Sequence, residues 1–470
     1  MYEHTPRLYI VGWTGARVAI AGASALAIGA AAVVGGVVMS GRGAADGAAA
    51  PATTTSPTPS PLVTPTPVLA APPTGLPQTA AGVARKLAGP LADRRLGSRV
   101  SATVLDGETG QVLLDRGAAT LVTPASTAKL ATSVALLSVT DPDQRLTTRL
   151  FAGSRPGDVV LVGGGDPTLS AAPAGKPTGY EGAARVTQLA ALAKRAGAGK
   201  VSRVVVDSSL FSGPTMAPTW NPADVGGGYI TPITATMVDA GRQDGQRARS
   251  ATPDLEAGRA LAVALGVPNA PVVRGRAPLG ATMLAEVGSQ PIPRLVEQML
   301  LASDNVLAEA LARQVAIAEG QPASFEGAVA ATRTALTRLG MPAGDQLLDG
   351  SGLSGQDRVT PALLAALLRT AADAGQPRLH ALVPGLPVSG YLGTLDKRYR
   401  TGPAALAAGQ VRAKTGTLDG VSSLAGLVRG TDGRLLVFAV VADRVPAGAT
   451  LTAEAALDDV AAALTTCGCG

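Results

Sequence analysis

Nine prolines fall between Pro51 and Pro77, in a stretch otherwise rich in Thr, Ser and Ala. Chain of this kind favours an extended polyproline II form and packs no core. Any folded body must therefore begin after about Gln78. The segment before it is the opposite in character. From Val18 to Gly41 there are 24 residues without a charge, roughly 36 Å as a helix at about 1.5 Å per residue, long enough to cross a bilayer. Arg7 and Arg17 precede it, which favours an inside N-terminus. Two readings fit. An uncleaved anchor suits the length, and a cleaved signal peptide would use the small residues Ala48-Ala49-Ala50. Both export the remainder of the chain. The expected organisation is a cytoplasmic tail and transmembrane anchor or signal segment over 1–42, a Pro/Thr/Ala-rich linker over 43–78 and a folded domain over 79–466. At about 3.1 Å per residue the linker reaches up to roughly 100 Å.

Composition narrows the function of that domain. Hydrophobic residues make up 46% of the chain but aromatics only 3%, so the core must be built from Ala, Val and Leu. The net charge of +6 is modest for this length, and no basic run interleaved with aromatics marks nucleic-acid binding. His4 and His380 are the only histidines. A Ser-His-Asp site and a multi-histidine metal site are therefore both disfavoured. Cys467 and Cys469 are the only cysteines. The body has no internal disulfide framework, and a chain of this size manages without one. The terminal pair is expected in a frayed tail, with a local disulfide or an intermolecular bond as the alternatives.

The folded part reads as α+β. Val100 to Leu105, the turn Asp106 to Gly110 and Gln111 to Leu114 form a hairpin. A helix starts at about Pro124, continuing through the apolar run Leu130 to Leu137. Residues of about 140–290 alternate short strands (Val159 to Leu161, Val204 to Val206) with helices (Gln188 to Arg195, Leu255 to Leu265), and read as an insert of one or two subdomains. Pro293 to Ala302 and Val306 to Glu319 are helical segments interrupted at residues 303–305. Pro361 to Ala374 is a helix with Gly375 as its stop. Val411 to Thr415 is a strand leading into a turn. Val421 to Val428 and Leu435 to Val441 form a second hairpin, and Leu451 to Leu464 a last helix. Strands at both ends and helices between them predict one antiparallel sheet joined from both termini and covered by helices.

Three short motifs carry the chemistry: Ser126-Thr-Ala-Lys129, Ser303-Asp-Asn305 and Lys414-Thr-Gly416. Three residues apart on a helix, Ser126 and Lys129 share a face, so a lysine could take the serine proton. An ammonium cannot act as base. The pKa of Lys129 must fall through burial or a neighbouring positive charge, and Lys414 is the obvious second charge. Lys129 lies in an apolar run where a surface lysine is not expected, and the chain has only seven lysines. At the helix interruption, Ser303 is read as a proton relay to a leaving group, and Asn305 as a donor holding Lys129 and a substrate carbonyl; helix capping is the plain alternative for both. Lys414 with Thr415 or Thr417 supplies donors for an anion, and Gly416 lets a substrate backbone pass close.

With these motifs go Thr123-Pro-Ala-Ser-Thr-Ala-Lys129, Gly163-Gly-Gly-Asp-Pro-Thr-Leu169, Ser303-Asp-Asn-Val-Leu-Ala-Glu309, Asp349-Gly-Ser-Gly-Leu-Ser354, Leu386-Pro-Val-Ser-Gly390 and Ala413-Lys-Thr-Gly-Thr-Leu418. In this order, over about residues 80–465, the chain resembles the penicillin-binding D-alanyl-D-alanine carboxypeptidases of the peptidase S13 family. The span from Ser126 to Ser303 looks shorter than in larger members, so an inserted subdomain is reduced. The resemblance implies a penicillin-binding transpeptidase-like fold and a serine carboxypeptidase, with endopeptidase action also open, working on peptidoglycan stem peptides. It implies attack by Ser126, with Lys129 as base and the backbone N–H groups of Ser126 and Thr417 on the oxyanion. Lys414, Thr415 and Thr417 would bind the terminal carboxylate, and Ser303 would pass a proton to the departing D-alanine. It implies no metal and no cofactor, β-lactams as covalent inhibitors, and a location outside the bacterial membrane. Three rivals are a β-lactamase or esterase of the same fold, for which no clear glutamate signature for a deacylating base stands out, a non-catalytic wall-binding or β-lactam-sensing protein, and a structural wall anchor whose tether is the point.

Overall fold

Strands from opposite ends of the folded body lie side by side. In the computed structural model, which describes residues 77–470 apart from 244–247 and 343, β1 (Val100–Asp106) pairs antiparallel with β10 (Leu435–Ala442), Val100 opposite Ala442. With β2 (Val112–Arg116), β8 (Val411–Leu418) and β9 (Val421–Arg429) they form a five-stranded antiparallel sheet, in the order β2-β1-β10-β9-β8. The apolar segment at Val18–Gly41 and nearly all of the proline-rich stretch lie outside the described residues. Among the described residues, no helix is long and apolar enough to cross a membrane.

β10 is apolar at every position, as a strand covered on both faces should be. Alternate side chains go to different cores. Phe438 and Val440 join Ala102 and Val104 against α1 (Ala80–Leu91) and α10 (Thr450–Thr465). Val437, Ala439 and Val441 join Ala425 in the larger helical core. That core holds α2 (Lys129–Val139), α6 (Ile292–Ala302), α7 (Asn305–Ala318), α8 (Phe325–Arg338) and α9 (Pro361–Ala372). α2 is buried from Lys129 to Leu137, which places the first motif in the middle of the protein.

The insert is one subdomain with its own five-stranded sheet. Its strands β3 (Thr147–Ala152), β4 (Asp158–Val162), β5 (Arg203–Asp207), β6 (Val272–Arg274) and β7 (Met283–Gly288) are ordered β6-β5-β4-β3-β7. β4, β5 and β6 run parallel, because α3 (Val186–Arg195) and α5 (Pro253–Leu265) supply the crossovers that parallel strands need. A single turn, α4 (Ala223–Gly226), lies in the long β5–α5 connection.

Three local expectations are corrected. The strand carrying Lys414 does not end at a motif turn. β8 runs on to Leu418 because its pairing with β9 continues through Gly416, Thr417 and Leu418. α9 stops at Ala372 without a glycine cap; Asp373 turns extended and its carboxylate accepts from the Gly375 N–H at 2.9 Å. The C-terminal tail is not frayed. Cys467 and Cys469 form a disulfide and are both buried. The Cys469 carbonyl accepts from Thr79 N–H at 2.9 Å and Thr79 Oγ at 2.8 Å, while its N–H donates to Gln78 Oε1 at 2.8 Å. Gln78 is itself buried, so chain assigned to the linker's end is part of the packed body.

Deleting residues 467–470 should destabilise the body by about 2–4 kcal/mol, from lost hydrogen bonds and lost apolar burial. Changing both cysteines to serine should cost less, because a disulfide closing so short a loop removes little entropy from the unfolded chain. Urea unfolding of the three proteins checks the order, and equal losses would count against a tail held by its backbone contacts.

Candidate active site

The turn carrying Ser126 begins at Ala125, whose backbone is left-handed at φ 49°. A non-glycine residue keeps such a conformation only where its surroundings hold it. Two contacts do so here. Pro124 O accepts from Thr127 Oγ at 2.6 Å and from Ser423 Oγ at 2.7 Å. Behind it Gly352, at φ +75°, packs so close that a Cβ there would lie 1.9 Å from the Ala125 carbonyl oxygen. Ala125–Ala128 is a 3-10 turn leading into α2, and it presents the half-buried Ser126 beside Lys129.

Lys129 is completely buried. Its Nζ lies 2.9 Å from Ser126 Oγ, 2.7 Å from Asn305 Oδ1 and 2.7 Å from Ser351 O. A neutral amine has two N–H donors and one lone pair. As an ammonium Nζ donates to all three; once it loses a proton, Asn305 Oδ1 and Ser351 O can keep the two remaining N–H donors and the lone pair is left for Ser126 Oγ. Burial pushes Lys129 down to about 8, against the upward pull of Asp349, Glu309, Asp304 and Asp357. Asn305 thus serves Lys129 as acceptor rather than as the expected donor. Its amide nitrogen donates to Tyr229 O at 3.0 Å.

Lys414 is also fully buried, and its Nζ donates to Ser303 Oγ and Thr415 O, both at 2.8 Å. Burial holds its pKa well below the usual lysine range, and the Lys129 charge lowers it further. Ser303 reaches Lys414 from a left-handed backbone at φ 53°, between α6 and α7. Thr415 and Thr417 sit on β8, at the edge of the sheet. Thr415 Oγ is 2.8 Å from Thr394 Oγ, and Thr417 Oγ donates to Glu454 Oε1 at 2.7 Å. The structure therefore brings together Ser126, Lys129 and Asn305, and beside them Ser303 and Lys414, with the Thr417 hydroxyl turned to α10.

The pattern of the D-Ala-D-Ala carboxypeptidase 3 (S13) family matches residues 83–246 and 243–464. The chain belongs to this family. A carboxypeptidase DacB of Mycolicibacterium smegmatis is 45% identical over 83% of this chain and 85% of its own length. A D-alanyl-D-alanine carboxypeptidase of an Actinomadura species is 29% identical over 75% and 79%. The crystal structure of penicillin-binding protein 4 from Haemophilus influenzae superposes with a TM-score of 0.64, at 23% identity over 80% of this chain and 98% of that one. The fold is thus the penicillin-binding one, an antiparallel sheet covered by helices.

Within this family framework, several groups escape sequence reasoning. The Ser351 carbonyl is backbone and carries no side-chain signal. It is aimed by Asp349, whose carboxylate accepts from the N–H groups of Ser351, Gly352 and Ser354 at 3.1, 2.6 and 2.8 Å and from the Trp220 indole at 2.7 Å. The Asp349–Ser354 string is legible as a motif, but not as the holder of Lys129. Gly416 also has a reason inside the fold. A Cβ there would meet Ser423 Oγ at 2.2 Å, Pro124 O at 2.6 Å and Ser126 N at 3.1 Å. The missing side chain lets β8 press against the turn carrying Ser126.

Gly416→Ala should therefore push β8 off the turn and slow acylation about 10- to 100-fold, the scale expected for a displacement near 1 Å. Stopped-flow labelling with a fluorescent penicillin measures it. Labelling within twofold of the parent would show that the close approach does not matter to the site.

Proposed function

We propose that the chain is a serine-type D-Ala-D-Ala carboxypeptidase acting on peptidoglycan stem peptides, with Ser126 as nucleophile and Lys129 as general base. The observation that carries this reading is the geometry at Lys129: a fully buried amine with Ser126 Oγ at 2.9 Å, held from two other sides by Asn305 Oδ1 and Ser351 O. Family membership supplies the substrate class.

The Lys129 lone pair takes the Ser126 hydroxyl proton as Oγ bonds to the carbonyl carbon of the penultimate D-alanine. Backbone N–H groups of Ser126 and Thr417 receive the oxyanion. Collapse breaks the C–N bond, and the Ser303 hydroxyl hands a proton to the departing amine, replaced from the lysine pair behind it. Water then hydrolyses the ester, with Lys129 again as base. Lys414, with Thr415, Gly416 and Thr417 along the open edge of β8, receives the terminal carboxylate. Lys129 and Lys414 titrate as a coupled pair. A carboxylate arriving at Lys414 favours the ammonium there, and repulsion then favours the free amine at Lys129. β-Lactams acylate Ser126 by the same step, and no metal or organic cofactor enters it. The segment at Val18–Gly41 tethers or exports the enzyme to the outer face of the membrane, with the proline-rich stretch as spacer to the wall.

Mass spectrometry after penicillin treatment should find the adduct on Ser126. Because the active form of Lys129 is the amine, the acylation constant should climb about tenfold per pH unit below about 8 and level off above it. An adduct on another serine, or a rate flat from pH 6 to 9, would overturn the assignment of nucleophile or base.

A stem peptide ending in free D-Ala-D-Ala should turn over roughly tenfold to a hundredfold faster in kcat/KM than its C-terminal amide, the worth of a charge-assisted hydrogen bond. Lys414→Gln should erase most of that preference. Equal rates on acid and amide would remove Lys414 from carboxylate recognition.

A further inference from the structure

The inserted subdomain reaches the second motif through a buried carboxylate. Asp304 stands between Ser303 and Asn305, and its side chain is fully enclosed. The two oxygens face opposite ways in their bonding. Oδ1 caps α7, accepting from Val306 N–H at 2.9 Å and Leu307 N–H at 3.1 Å. Oδ2 accepts from Tyr180 Oη at 2.7 Å and from Arg242 Nη2 at 2.6 Å, with Arg249 Nη2 at 3.8 Å. Tyr180, Arg242 and Arg249 all belong to the insert. Arg242 also donates to Tyr180 Oη at 2.6 Å and lies over the Tyr180 ring, 5.4 Å from its centre. Arg249 is fixed in turn by Gly228 O at 2.9 Å and Ala240 O at 2.7 Å.

A capping aspartate needs no such clamp. Oδ1 alone satisfies the helix start, and a buried carboxylate facing two guanidinium groups is a costly arrangement to assemble. Its position explains it. Asp304 is flanked by the two side chains that touch the lysines: Ser303 from a left-handed backbone, on Lys414, and Asn305 on Lys129. Fixing the carboxylate from the insert side and the helix side at once fixes the backbone of both neighbours. The Tyr229 carbonyl, again from the insert, anchors the Asn305 amide as well.

We propose that Tyr180 and Arg242 are positioning residues for acyl transfer, holding Asp304 so that Ser303 and Asn305 stay registered on Lys414 and Lys129. The proposal rests on the serine acyl-transfer reading of the site. The insert is then part of the machinery of the reaction rather than an accessory to it.

The test compares Tyr180→Phe, Arg242→Gln, Arg242→Lys, Asp304→Asn and the Arg242→Gln/Asp304→Asn double variant in the full chain. Penicillin acylation, kcat and KM on a D-Ala-D-Ala peptide, the acid-over-amide preference and the thermal midpoint are read for each. Arg242→Gln should lower acylation and kcat about 10- to 100-fold with KM little changed, and should shrink the acid preference. Arg242→Lys should recover part of the loss, and the double variant should lose no more than the worse single one. Tyr180→Phe keeps the buried ring and should lose several-fold, which covers the case of a poorly folding Arg242 variant. Tyr180→Phe and Arg242→Gln proteins with rates within twofold of wild type would overturn the clamp alone. Losses that only track the thermal midpoint, equal for Gln and Lys, would also overturn it. A wild-type chain that releases no D-alanine would overturn the reading of the site, and the clamp with it.

Discussion

A lysine amine sealed in the protein interior is the constraint on which the rest depends. Removing an ammonium from water is costly unless it is paired or loses its charge. Lys129 answers both ways at once. Two acceptors satisfy its hydrogen atoms, and burial brings its pKa to about 8. Those acceptors come from distant parts of the chain, Asn305 at the start of α7 and Ser351 in the loop after α8. Neither acceptor could be placed by α2 alone. The fold must bring both to one nitrogen, and the helical core around α2 is the means.

The same logic extends outward. Asp349 gathers three backbone N–H groups to shape the loop carrying Ser351 O, and Trp220 of the insert closes its last acceptor site. Asp304 does the corresponding service for the turn between α6 and α7. β8 comes in from the other side, held at bonding range by the absence of a Cβ at Gly416. The β8 edge of the site is thus fixed by a missing side chain, and its two loop walls are each fixed by a buried carboxylate. Such groups carry geometry at the expense of some stability, since they are harmful if left half-satisfied.

Much of this is legible in the sequence. β10 announces itself by continuous apolar character, β9 by its pairing with β10 across the turn Gly430–Gly433, and α2 by an apolar run with one incongruous lysine. The two helices either side of Ser303 are readable because Ser, Asp and Asn break and cap helices. Other features leave no local trace. Tyr180 and Arg242 look like any surface tyrosine and arginine until the chain folds, because their partner lies more than sixty residues away. The parallel order within the insert depends on crossover geometry, which short strand signals do not encode. The tail misleads because a polar, glycine-bearing end resembles a frayed one. Its burial comes from backbone groups of Cys469 meeting Gln78 and Thr79. What sequence conveys well is periodicity and motif identity; pairing between buried polar groups is a tertiary property.

The acids beneath Lys129 complete the argument. Glu309, Asp349 and Asp357 all pull its pKa upward, and with every one ionised the lysine would be held more firmly as ammonium. They are not all ionised at neutral pH. Burial and the neighbouring Asp349 charge push Asp357 up to about 10 and Glu309 up to about 7. Asp349 alone is rich in donors, with its three backbone N–H groups and the indole. The carboxylates that stay charged offset part of the desolvation of Lys129 and hold its pKa at about 8. The acid cluster is therefore not spare polarity in the core. It is the counterweight that keeps a fully buried lysine within reach of both of its protonation states.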